Sequence, residues 1–573
     1  MPLLPGRWTR LPPDRQTQIA QGAWLLGALL ALGLLPWSGS PARSQLPGLA
    51  FNTVQAIFFF AFAMTGLCAE NPAVPGRRIS LACGAACLAA LADQPFVLMG
   101  SGCCALLLTL SDRRGGARGM ARAFFFAAAC GASVSGKGDG LMLIATLACL
   151  LSEARAVPEF TLAPLVDAGC GLLLLIRTQV VTAPLGQSGA AFVLLALGIG
   201  LAALRLWRAL ATSEFGQAVT GLAMLPALIG AMILALFGLA HDSGSALTAH
   251  AAQTTLILDF MVLWPAAAAF LATSALVREA TGSDRLGEMG GMIGFAPRLA
   301  AMFAATLAGL LLLPPTGGFV VLWMLIESAL GLLPDGFTAA LPSLAFLLAL
   351  GLVVALVAFV VLRLGMLVLM GGARCPRMSV CPDASWFALM PVALAAGCAF
   401  SLSLVPGLVR WLAAASVEGK EKPSIFTMGA PDGLSFLLPS GFMALLFVLI
   451  AAVRLVQVRH ETRLAHTTAV RPSPFGGHEE GAASPWLGGL VVRSPVSPFG
   501  EPLLWPGTDL AISVLRTVFR LERLPKWRKM GRWMPLSRHL WRRMRRMWGD
   551  GTQASGIVLA LVAVVLCLAA WWS

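Results

Sequence analysis

The sequence predicts an all-α protein, a polytopic membrane bundle of roughly 14 to 16 transmembrane helices of about 20 residues each, some of them discontinuous. Three observations carry that expectation. The 573 residues are 58% hydrophobic and only 12% charged, and a mean hydropathy of +0.80 lies outside the range of ordinary soluble domains. Apolar runs long enough to cross hydrocarbon recur along the chain. Residues 290–323 (GGMIGFAPRLAAMFAATLAGLLLLPPTGGFVVLW) form an apolar stretch with Arg298 as its one charge, interrupted by Pro314 and Pro315 and then by Gly317, Gly318 and Phe319. Proline has no N–H to donate and lipid offers backbone groups no partner, so such a break is tolerated where neighbouring helices cover it, as along ion or substrate paths.

In order, the expected spans begin near residues 19–37 and 48–68, after a leader carrying Arg7, Arg10 and Arg15. Those cations place the N-terminus on the cytoplasmic side. The long, proline-interrupted leader fits a cleaved signal peptide poorly. Four short runs follow, near 78–92, 94–111, 121–135 and 138–152, with the charged loop 111–119 (SDRRGGARG) between the second and third; their shortness leaves the parity of the count open. Longer runs lie near 161–183, 189–210, 217–240 and 246–277, the last leading into a second charged loop, 278–288 (REATGSDRLGE). Then come 293–314 and 316–333 on either side of the proline pair, followed by 339–371, 385–405 and 432–456, which completes a continuous bundle over residues 1–456. Residues 457–506 are rich in Pro, Gly, Ser and His, without helical periodicity, and read as an extramembrane linker. A basic interfacial segment, 507–550, precedes a C-terminal anchor, 551–573, with a span near 555–572.

The formal net charge of +14 is concentrated outside the spans, chiefly in residues 516–546, where Arg and Lys alternate with Trp527, Trp533 and Trp541, and Trp548 follows. Because an apolar anchor comes next, this segment reads as a helix lying on an anionic leaflet rather than as a nucleic-acid interface. Tyr is absent, so aromatic anchoring falls to the 16 Trp and to Phe. Most of the 12 cysteines, such as Cys83, Cys87, Cys103, Cys104, Cys130 and Cys567, lie in apolar runs as small hydrophobes. Cys375 and Cys381 occupy a polar connection, but two thiols without a neighbouring His make a poor metal site. No phosphate loop, dinucleotide fingerprint or catalytic triad occurs, so no catalytic residue, metal or cofactor is assigned to this chain.

Several segments resemble the antiporter-like membrane subunits shared by respiratory complex I, multisubunit cation/proton antiporters and membrane hydrogenases, most of all component B of hydrogenase-4 and its formate hydrogenlyase counterpart. Residues 281–303 (TGSDRLGEMGGMIGFAPRLAAMF) and 310–323 (LLLLPPTGGFVVLW) resemble that family's Gly-Gly-Leu, Met-Pro and Gly-Leu-Pro-Pro-x-x-Gly-Phe pattern. Residues 359–374 (FVVLRLGMLVLMGGAR), 390–406 and 494–504 (SPVSPFGEPLL) resemble later family segments, and 92–110 and 151–168 resemble eroded earlier ones. The resemblance implies an antiporter-like core over about residues 90–410 and proton movement through buried Glu and Lys linked by His and water. Those groups are largely missing here. Cys103 stands where the family's Glu is expected, Leu263 and Ala267 where a Lys follows, and the Lys expected near Gly169 to Leu172 is absent. Glu214 is an aligned acidic position, Asp259 falls where the family carries His, and Arg363 matches a basic position.

An ionisable side chain at mid-membrane costs roughly 2.5 to 3.5 kcal/mol on insertion scales, so each one present invites a functional reading. Asp259, in TTLILDFMVLW, is the clearest: apolar surroundings favour a neutral carboxyl, which suits a proton relay, and equally a protonated Asp bonded to a neighbouring helix. Pro265 would open the helix near it. Glu327 and Arg363 either pair across neighbouring spans or snorkel to an interface. Glu214 reads as a solvated loop charge or a path residue, Asp167 as a cap or loop residue, and His241, Asp242 and His250 as flanking a turn. The expected whole is a multi-pass subunit in a bacterial inner membrane, partnered by lipid and by other membrane and peripheral subunits of a hydrogenase-4-like or NADH-quinone oxidoreductase-like complex, supporting redox-coupled proton or cation translocation. The alternatives are a non-translocating anchor of such a complex and a stand-alone cation/proton antiporter; scarce buried Asp and Glu count against the latter.

Overall fold

Long Ala-, Leu-, Val- and Phe-rich runs satisfy their backbone polar groups internally only as helices, and helices are what form. The computed structural model describes residues 13–34, 53–71, 77–92, 94–109, 116–134, 139–151, 162–182, 188–243, 245–312, 316–333, 337–370, 377, 383–404, 428–429 and 436–437. Six helices open the chain: α1 (Pro13–Leu34), α2 (Thr53–Ala69), α3 (Arg77–Leu91), α4 (Pro95–Leu108), α5 (Gly116–Val134) and α6 (Asp139–Leu150). Each packs on the next, and α6 on α7 (Ala163–Thr182). Then α8 (Ser188–Ala211) packs on α10 (Leu225–Asp242) and on α16 (Phe337–Leu369), with the short α9 (Phe215–Ala223) between the first two in sequence. The chain is a multi-pass membrane protein. Four rods, Ala191–Ala211, Phe215–His241, Ala251–Thr281 and Ala340–Leu369, are long and apolar enough to cross a bilayer, and further apolar helices of 10–17 residues pack around them.

At the centre runs a rod made of α11 (Ala246–Leu258), a π-turn at Asp259–Leu263 and α12 (Trp264–Thr281). Its apolar part is enclosed by protein on every side. The single span expected over 246–277 is therefore interrupted, and Pro265 supplies the reason: its ring would meet the carbonyl four residues back, and the wider turn relieves that contact. The Trp264 amide reaches back to the Asp259 carbonyl. Likewise 217–240 is two helices rather than one, α9 and α10, parted at Met224 where Pro226 enters the first turn of α10.

The stretch expected as 293–314 is a one-turn α13 (Met292–Phe295), a bend at Ala296 and α14 (Pro297–Gly309); α15 (Gly317–Leu330) then starts at the glycine pair. Pro314 and Pro315 lie outside the described residues. Helix α14 packs on α12 and α15 packs on α11, so the two lie end to end along the central rod. The last described helix, α17 (Trp386–Leu404), packs on α12, α14, α15 and the π-turn. The helix expected over 432–456 does not include Phe436–Leu437, which pairs antiparallel with Met428–Gly429; Pro431, Asp432 and Gly433 between them are turn formers. The rest of that span, the linker 457–506, the basic segment 507–550, the anchor 551–573, Cys375 and Cys381 lie outside the described residues.

Helix ends gather at two levels. At one, the Phe215 amide donates to Asp284 O, Leu286 N to Ser213 O and Gly291 N to Met370 O, tying the starts and ends of α8, α9, α12 and α16 together. Gly282 ends α12 in the left-handed region (φ 68°), which its missing Cβ permits. At the other level, Gly331 after α15 abuts Thr248 of α11.

Candidate functional site

Asp259 closes the last turn of α11 and opens the π-turn, and it is 0% exposed. Neither carboxyl oxygen has a hydrogen-bond partner among the described residues, nor does Trp264 Nε1 at the far end of the same turn. The walls around the carboxyl are apolar. A Cβ placed on Gly230 of α10 would lie 3.3 Å from Asp259 Oδ2, 3.1 Å from Leu172 and 3.8 Å from the Phe260 ring. Phe260 in turn stacks on Trp264, centroids 4.8 Å apart, and meets Phe58 of α2 at 4.2 Å. One turn toward the α11 start, Thr255 Oγ1 lies 3.3 Å from Ser328 Oγ of α15, both buried. On the other side of the rod a small crevice lined by Val262, Ala266, Thr306, Gly309 and Gly317, among others, has room for about one water.

A second charged site was not legible as such in the sequence. Asp167, 1% exposed, sits inside α7, where it pairs with Arg122 Nη1 of α5 and accepts from Thr109 Oγ1, just past α4, at 2.6 Å. The expectation of a cap or loop role is corrected: α7 begins at Ala163, so Asp167 is already in its interior. The signal available was one acidic and one basic side chain, each inside an apolar run.

Arg363 neither snorkels nor pairs with Glu327. It is 1% exposed, and its Nη1 donates to Ala209 O at 2.7 Å and its Nη2 to Thr212 O at 2.6 Å, closing the end of α8. Arg205 serves α6 in the same way, donating to Leu150 O at 2.6 Å. Glu327 is half-buried near the end of α15, at the opposite level of the bundle. Arg363 lies about 39 Å along α16 from its start, which adjoins that level, so helical rise alone keeps the two apart. Glu214 is exposed before α9, where Gln217 donates to its carboxylate and its backbone bridges to Arg285. His241 is exposed in the last turn of α10, and the side chains of Asp242 and His250 are not described. The break residues divide: Pro265 borders the π-turn, while Gly317 and Gly318 open α15, with a Cβ at Gly318 falling 2.7 Å from Leu311 O. Among the described residues no group of three or more His, Cys, Asp or Glu is placed to hold a metal ion.

No family model matches the sequence, and no curated protein matches it. Solved structures do. A chain of the membrane-bound sulfane sulfur reductase (MBS), an archaeal respiratory membrane complex, superposes with a TM-score of 0.60 at 16% identity, over 98% of this chain and 96% of that one. A chain of the Mrp complex from Dietzia sp. DQ12-45-1b does so with a TM-score of 0.50 at 15% identity, over 70% of this chain and 92% of that one. What they share is the fold. A chain of respiratory complex I from Thermus thermophilus with bound NADH aligns over 71% of this chain and 96% of that one at 19% identity, with a TM-score of 0.47, too loose to argue from. The similar chains are thus parts of multisubunit membrane complexes.

Proposed function

We propose that this chain is a membrane subunit of a multisubunit respiratory assembly that couples redox chemistry to proton or cation movement, and that Asp259 is its own mid-membrane relay group. The observation that carries the reading is the carboxyl without a hydrogen-bond partner among the described residues, at the π-turn of a rod enclosed by protein, because an ionisable group kept at that depth is costly unless used. Similarity of fold over nearly the whole chain to a subunit of a respiratory membrane complex supports the assembly. Within that class the motifs after Thr281 favour a hydrogenase-4-like complex. Electron transfer and any redox cofactor then belong to partner subunits.

Orientation follows the same reading. Arg78, Arg122, Arg205, Arg208, Arg278, Arg285, Arg298 and Arg363 all lie toward the level where α8 and α12 end, whereas among the described helices Arg177 alone lies toward the other. By the positive-inside rule the arginine-bearing level is cytoplasmic. Gln21 and Trp24 of α1 bond to Glu70 O and Ser80 at that level, which supports a start of α1 on the cytoplasmic side.

A second reading, a non-translocating anchor of the same complex, is favoured by Arg205 and Arg363, whose described bonds close helix ends instead of facing Asp259. One experiment separates the two. The complex is purified in mild detergent through a tag on this chain, then reconstituted with wild-type or Asp259→Asn subunit. Co-purifying nickel–iron or iron–sulfur subunits and loss of proton pumping with assembly intact support the relay. Unchanged pumping supports the anchor, and a single monodisperse chain overturns both in favour of an autonomous transporter.

A further inference from the structure

We infer that the π-turn Asp259–Leu263 is a hinge in the central rod, about which α12 with α14 swings as one body against α11 with α15. The inference is independent of which ion, if any, the chain moves. Helices bend where a π-turn interrupts the i to i−4 ladder, and here the Trp264 amide bonds to Asp259 O, one residue further back than in an α-helix. The rest of the rod is α-helical, so this is its one soft point.

The packing is divided at the same level. Helix α14 lies against α12 and ends at Gly309, whose Cβ position would fall 3.2 Å from Ala266 Cβ. Helix α15 lies against α11 and begins at Gly317. Among the described residues, the helix on this side of the rod that spans from the α11 half to the α12 half is α17, which presents Ala396 and Ala399 to the crevice beside Val262. On another side α10 presents Gly230. Small side chains on the flanking helices leave a bend unobstructed, whereas interlocked large ones would fix the angle. Phe260 stacks on Trp264 and meets Phe58 at a tilt of 40°, contacts that hold the turn by no directional bond.

The polar groups point the same way. The side chains of Asp259 and Trp264, one at the start of the π-turn and one just past its end, are both fully buried, and their polar atoms lack a hydrogen-bond partner among the described residues. Buried polar groups are ordinarily paired. A bend here changes the surroundings of these two groups first, while the arginine-closed helix ends at the cytoplasmic level travel with their own bodies. Two buried donors and acceptors at the moving joint are what a rod with a second arrangement would carry.

The test is a distance measurement on the full-length chain in lipid nanodiscs. Spin labels enter as non-canonical residues, because the chain has 12 cysteines, at Gln253 of α11 and Glu279 of α12, both exposed and on opposite sides of the π-turn. A control pair at Leu344 and Leu362, both exposed, sits on α16 beyond Pro342 with unbroken helix between them. The hinge predicts a Gln253–Glu279 distance distribution split in two or about twofold broader than the control. Deletion of Val262, which takes the extra residue out of the turn, collapses it to the control width; where that variant fails to fold, Gly230→Ala on α10, whose added methyl crowds Asp259 Oδ2 at the turn, narrows it instead. A wild-type distribution as narrow as the control overturns the inference whatever the pumping assay shows, and a broad one stands even where Asp259→Asn leaves pumping unchanged.

Discussion

Among the described residues two aspartates are buried in this membrane bundle, and they are treated in opposite ways. Asp167 is held between Arg122 and Thr109, so three chain segments meet on one carboxyl. Asp259 faces Gly230, Leu172 and Phe260 and has no hydrogen-bond partner among the described residues. The difference separates two uses of charge in a low-dielectric interior. A paired charge fixes the arrangement of its helices, since breaking the pair strands its partner. An unpaired carboxyl fixes nothing, and its retention asks for a different explanation.

The largest effect should come from breaking the paired site. Asp167→Ala removes the buried carboxylate paired with Arg122, whose side chain is 18% exposed, and should destabilise the chain by about 3 to 5 kcal/mol. Thermal unfolding of the detergent-purified complex measures this. The double variant with Arg122→Met should recover most of the loss, because no charge is then stranded; a double variant as unstable as the single one would refute the account. Next in size is Arg363→Met, which strips two carbonyls at the end of α8 of a charged donor. A loss of about 1.5 to 3 kcal/mol is expected, with faster amide exchange in residues 205–212 and no change where α15 ends.

How far these sites were legible in the sequence follows from the same physics. Bundle class, the apolar run of the central rod and the parting of helices before Gly317 were all visible, since hydropathy and proline act locally. Asp259 stood out because a carboxylate inside TTLILDFMVLW has no local explanation. Asp167 did not, since its partner lies 45 residues away in the chain and beside Gly169 and Gly171 it resembles a cap. Arg363 and Glu327 seemed neighbours because they lie on successive spans; successive antiparallel helices meet along their whole length, so sequence order says nothing of depth. The π-turn was half visible: Pro265 marks where the ladder fails, but whether a helix answers with a kink or a wider turn depends on what packs against it.

Asp259 should respond to substitution in the opposite sense from Asp167. Asp259→Leu removes two oxygens that lack hydrogen-bond partners and fills the space beside Gly230 with carbon. Stability should hold or rise, by about 1 to 3 kcal/mol. Unfolding temperature and proton pumping, measured on one preparation, read the two consequences together: a more stable assembly that has lost pumping marks Asp259 as kept for use. A marked loss of stability would mean that the carboxyl does find a structural partner in the membrane.

The smallest effect tests whether anything nearby supports that carboxyl. Thr255 and Ser328 each return a hydrogen bond to their own helix, to Ala251 O and Met324 O, and meet one another at 3.3 Å one turn from Asp259. Their contact joins α11 to α15 but leaves no group stranded when it is removed, because each hydroxyl retains a local acceptor. Thr255→Val keeps the β-branched shape and should therefore cost only about 0.6 kcal/mol, the usual worth of an interhelical hydrogen bond in a membrane. If the hydroxyl pair also takes the proton from Asp259, the same substitution should slow pumping out of proportion to that small loss. A pumping rate unchanged by Thr255→Val, with Asp259→Asn inactive, would direct the route from Asp259 away from α15 and toward the Gly230 side of the rod.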